Sequence, residues 1–144
     1  MKLIQIVNMI ESLVIMTNLP LSAKDSFNLN NILITFEDHF NSYNKTKGNL
    51  LIQYGTSKDG VNFALEKEEN RQLFFKELYE LDNMEIDITF NKIKVGLSKL
   101  EKFIENEKLK NPNFEGIETK HLLNVRNVIE FYDDTKKEET ETEK

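Results

Sequence analysis

Between Ser22 and Tyr54 the apolar and aromatic residues Leu29, Leu33, Phe36, Phe40, Tyr43, Leu50 and Tyr54 fall at alternating steps of four and three. Only Lys47 interrupts the series. That spacing draws a narrow stripe along one side of a helix over more than three heptads, and it predicts a rod roughly 50 Å long at about 1.5 Å per residue. Ser22, with Asp25 three positions on, suits the N-terminal cap, and Gly55 stands where a left-handed C-terminal cap belongs. The weak point is Asn44 to Asn49, because glycine in a helix interior costs about 1 kcal/mol relative to alanine. Gly48 is the place for a kink or a break.

The flanking segments supply shorter partners for the rod. Lys2 to Val7 suits either a strand or a first helical turn. Asn8 and Glu11 suit a capping box for a helix that reaches about Thr17 and stops at Leu19-Pro20. Asp59-Gly60 is a strong turn pair, and Val61, Phe63 and Leu65 alternate as in a short strand. Acids from Glu66 to Asn70 open a further helix whose apolar face is Leu73, Phe74, Leu78 and Leu81, widened by Phe75 and Tyr79. After Asp82-Asn83 the period changes. Met84, Ile86, Ile88 and Phe90 alternate with polar residues, the cleanest strand pattern in the chain. A helix resumes from Leu97 to about Leu109 and ends at Asn111-Pro112, and Thr119 caps a last helix carrying Val125, Val128, Ile129 and Tyr132. The expected fold is therefore α+β and mainly helical: one long helix, shorter helices, and a small antiparallel sheet of two or three strands. Residues 1–132 form a single domain in this reading, and the apolar-free residues 133–144 an acidic disordered tail.

Charge and composition exclude several functions. A net charge of -6 with no basic cluster argues against binding to nucleic-acid backbone. The absence of cysteine removes disulfides and thiolate metal sites. The apolar run Met1 to Met16 is interrupted by Gln5, Asn8, Glu11 and Ser12, so it does not read as a membrane span or a signal peptide. His39 and His121 lack the spacing of helical metal sites and read as surface residues. Glu37 and Asp38, and the pair Glu85 and Asp87, read as solvated carboxylates. No phosphate-binding loop or nucleophile elbow is present. The chain is expected to be no enzyme, with no cofactor, no catalytic residue and no metal.

What remains is the stripe. Its distal end, Phe40, Tyr43, Leu50, Leu51 and Tyr54, extends beyond the reach of a helix as short as the first one. Tyrosines and leucines uncovered on a rigid helix are the usual anchors of protein interfaces.

The order of elements resembles that of a group of small bacteriophage proteins of unknown function, encoded among the late, virion-related genes of phages that infect low-GC bacteria. The resemblance is carried by Leu19-Pro20, Gln53-Tyr54-Gly55, Lys58-Asp59-Gly60, Glu77-Leu78-Tyr79-Glu80-Leu81, Glu85-Ile86-Asp87-Ile88 and Leu97-Ser98. It spans roughly residues 19–100; 102–115 and the tail depart from it. It implies a non-enzymatic structural or virion-assembly protein, present in the host cytoplasm during assembly and then in the virion. Such a protein contacts other virion proteins and copies of itself as a homo-oligomer, with no nucleic acid and no membrane. The alternative is a small acidic phage inhibitor that binds a basic host or defence protein by fast, salt-sensitive association.

Overall fold

The heptad stripe folds as one unbroken helix. A computed structural model describes residues 1–134 and gives seven elements. These are α1 (Leu3–Met16), α2 (Ala23–Tyr54), α3 (Glu68–Asp82), β1 (Ile93–Gly96), α4 (Leu97–Lys110), α5 (Thr119–Asn124) and β2 (Ile129–Tyr132). The α2 helix keeps its 32 residues through Gly48 without a break. Ser22 caps it: its Oγ accepts from the Asp25 amide at 3.2 Å and its carbonyl from the Ser26 amide at 2.9 Å. The far end differs from expectation, since positive φ among the described glycines occurs at Gly60 and Gly116 and not at Gly55. Glycine is needed at position 55 for space: a Cβ there would lie 2.5 Å from the Leu51 carbonyl oxygen and 3.1 Å from the Phe63 Cβ.

By its contacts the chain divides into two compact units, Met1–Asn8 with Thr35–Ile88, and Met9–Ile34 with the residues from Thr89 on. In the first, the core gathers Leu3, Ile6, Phe36, Tyr43 and Phe74, with Phe36 fully buried. Leu3 to Val7 resolves as helix, with the Gln5 side chain accepting from the Lys2 amide at 2.8 Å at its start, while Lys2 itself stays outside α1; the expected cap Asn8 lies inside the helix. A tight loop follows α2, closed by paired Thr56 and Ala64 backbones at 2.9 and 3.0 Å. At its tip the Asp59 carboxylate accepts from the Asn62 and Val61 amides at 2.8 and 2.9 Å, and Gly60 supplies a φ of 75°. Those donors, Asn62 first, hold the Asp59 carboxyl well below the usual carboxylate range. The strand-patterned segment after α3 makes a single antiparallel bridge, Lys2 with Glu85, and does not join a sheet.

The second unit packs Leu13, Met16, Leu19, Leu29 and Ile32 with Ile93, Val95, Leu100, Phe103, Val125, Val128 and Ile129. Its sheet corrects the expected topology. The two strands run parallel, in register from Ile93 opposite Ile129 to Gly96 opposite Tyr132. Parallel neighbours need a long crossover, and α4 and α5 lie between β1 and β2. Ile129 to Tyr132, expected in the last helix, is a strand; α5 covers only six residues, and Thr119 opens it without capping. The run from Val125 to Tyr132 is rich in β-branched and aromatic residues, which favour a pleated, half-buried surface. Asp134 is drawn to the start of α4, where its carboxylate accepts from the Ser98 amide at 3.1 Å and from the Ser98 hydroxyl. The Ser98 hydroxyl bond keeps the Asp134 carboxyl below its usual value. The rest of the expected tail, 135–144, lies outside the described residues.

A Cβ at Gly48 would meet no atom within 4 Å, so Gly48→Ala removes the backbone-entropy cost of an interior glycine without a clash. It should stabilise the protein by about 1 kcal/mol, measured as a higher urea midpoint at unchanged slope.

Candidate interaction surface

The five stripe residues expected to anchor a partner separate into two kinds of environment. Tyr43 is 6% exposed, and its hydroxyl donates to the Asp82 carboxylate at 2.8 Å. Burial, then the Asp82 hydrogen bond and charge, push the Tyr43 phenol up to about 12. Tyr43 is therefore packed into the fold of its own chain. Phe40, Leu50, Leu51 and Tyr54 are half-buried. The Tyr54 hydroxyl meets the Glu77 carboxylate; that hydrogen bond, followed by burial, raises its pKa. What sequence reasoning missed is that α3 supplies carboxylates to α2 at both places. A covering element need not be the sequence neighbour.

Tying one side of α3 to the stripe leaves its other side outward. Phe74 is buried, whereas Phe75 is 54% and Tyr79 69% exposed. These two rings stand one turn apart, at i and i+4, on one helix face. Phe75 also meets the edge of the Phe74 ring, with centroids 5.3 Å apart and planes at 80°. Leu73, expected in the buried face, is nearly half exposed, as is Met84, and Ile52 on α2 is more than half exposed. Three apolar residues in succession, Leu73, Phe74 and Phe75, cannot all face one way on a helix. That crowding was the available signal.

The two histidines also part. His39 is half-buried on α2 and lines a small cleft with Ser42, Tyr43, Thr46, Leu81 and Met84. His121, expected at the surface, is buried, and its Nδ1 lies 2.9 Å from the Ser12 Oγ, itself 1% exposed. Asn124 Nδ2 donates to the same Oγ at 3.4 Å. A serine closed off from solvent has no route to a substrate, so this trio acts as a polar clasp between α1 and α5. Its signal in the sequence was Ser12 on the α1 stripe beside Met9, Leu13 and Met16. Among the described residues no group of three or more His, Cys, Asp or Glu side chains stands together as a metal site.

The chain matches no family model, and it finds no relative among curated proteins or solved structures.

Two measurements check the polar ties. A Tyr43 pKa raised from 10.0 to about 12 favours the protonated phenol in the folded state. Its stabilising contribution is complete below the unfolded value and is lost as pH climbs from 10 towards 12. Unfolding free energy should fall across that window, and Tyr43→Phe should reduce the fall. Ser12→Ala, which removes the partner of a buried imidazole, should destabilise by about 1–3 kcal/mol in urea unfolding.

Proposed function

We propose that this protein is a non-enzymatic bacteriophage structural or virion-assembly component that works through protein–protein contacts. Its partners are copies of itself and neighbouring virion proteins, met in the host cytoplasm and retained in the particle. The observation that carries the reading is the outward pair Phe75 and Tyr79, one turn apart on a helix that the Tyr43–Asp82 hydrogen bond ties to α2. Exposed aromatic side chains on a rigid support are typical interface anchors. Phe40, Leu50, Leu51 and Tyr54, half-buried on α2, remain candidate anchors beside that pair, whereas Tyr43 is buried. The phage context rests on the resemblance of residues 19–100 to late-gene proteins.

Salt separates this reading from the acidic inhibitor. Apolar anchors hold in strong salt, whereas exposed charges are screened beyond about 3 Å at 1 M ionic strength. Light scattering should show one defined oligomer at low and high salt, and Phe75→Ser with Tyr79→Ser should yield a folded monomer. A wild-type monomer at both salts would count against self-assembly. Mass spectrometry of purified phage particles should detect the chain, and its absence there would remove the virion assignment.

A further inference from the structure

The segment with the strongest strand pattern, Met84 to Ile88, is paired along one side only. Leu3 donates to the Met84 carbonyl at 2.9 Å, and the Ile86 amide donates to the Met1 carbonyl at 2.8 Å. These two bonds flank the antiparallel bridge between Lys2 and Glu85. In that pattern Lys2 and Glu85 form a pair without mutual hydrogen bonds, so the N–H and C=O of Glu85 point away from Lys2. Backbone groups alternate sides along an extended chain, so a partner strand that continues past Glu85 would meet those of Asp87 next. Among the described residues, neither Glu85 nor Asp87 gives or takes a backbone hydrogen bond. Both residues are exposed, with the Glu85 side chain 70% accessible.

We propose that this outer edge at Glu85 and Asp87 accepts an extended segment of a partner protein in which Lys or Arg alternates with apolar residues. Unpaired strand edges are templates for added strands, in which main-chain bonds give affinity and alternate side chains give specificity. Charge selects the occupant. A second copy laid antiparallel on the same edge would set Glu85 and Asp87 opposite one another, and like charges directly opposite are destabilising. A basic side chain at those positions meets two carboxylates instead. The Glu85 carboxylate already reaches the Met1 amino group at 3.1 Å, while Asp87 makes no ion pair among the described residues. On the other face the partner's apolar residues would lie beside Ile86 and Ile88, both half-buried, and Met84, 46% exposed. This edge is separate from the Phe75 and Tyr79 pair, and the inference stands whether or not the chain self-assembles through α3.

The test is amide hydrogen exchange by NMR on the full chain, with a short capped peptide alternating lysine and valine as the probe. Its glutamate–valine counterpart and a lysine–valine peptide N-methylated at alternate residues serve as controls. Exchange at the Glu85 and Asp87 amides should slow about tenfold or more with the lysine peptide and remain unchanged with either control. Asp87→Asn, which keeps the backbone donor, should weaken binding roughly two- to fivefold while preserving the protection pattern. Asp87→Pro, which removes a donor that has no partner in the free chain, should abolish binding. Peptide bound with both amides still exchanging freely would overturn the proposal. So would equal protection by the glutamate peptide. Protection that rises with protein concentration in the absence of peptide would assign the edge to a second copy and overturn it as well.

Discussion

A helix of 32 residues with an apolar stripe along its length is more than a short neighbour can cover, and the rest of the structure answers that demand. Its proximal residues Leu29 and Ile32 sit in one buried cluster with Leu13 and Met16. Its distal residues Phe36 and Tyr43 sit in another with Leu3, Ile6 and Phe74. Helices of this length draw most of their stability from such packing, since propensity alone is marginal.

Each cluster is closed by a specific polar contact. Tyr43 keeps its hydroxyl satisfied on Asp82, and Ser12 meets His121 and the Asn124 side chain. Buried polar groups stabilise only when paired, and they penalise alternative packings in which they would be left alone. These contacts fix the register of helix against helix more sharply than leucine and isoleucine could. They also account for the burial of a stripe tyrosine expected to anchor a partner and of a histidine expected at the surface.

Much of the local structure was legible. Ser22 as cap, the persistence of the heptads to Tyr54, the Asp59-Gly60 turn, and the ends of α3 and α4 near Asp82 and Lys110 all follow from short-range chemistry. The sheet was not legible in the same way. Strand direction depends on how the chain returns after α4 and α5, and four residues such as Ile129 to Tyr132 are too few for a period to distinguish helix from strand. Met84 to Ile88 carries the better strand pattern but makes one bridge, because a strand requires a partner as well as a pattern. Of the candidate surface, the distal stripe could be named, yet its covering by α3 and the outward turn of Phe75 and Tyr79 depend on contacts far apart in sequence.

The carboxylate at the head of α4 comes from Asp134, 36 residues downstream of the Ser98 it serves, and a Cβ on Gly96 would collide with that carboxylate. Synthesis runs from the N-terminus, and domains usually fold in that order. On the ribosome, β1 and α4 emerge while both the strand that pairs with β1 and the residue that caps α4 are still unmade. The unit that joins Met9–Ile34 to the residues from Thr89 on thus becomes whole only after translation has passed Asp134, and until then its nascent helix start and strand edge stand open to whatever the cell places beside them.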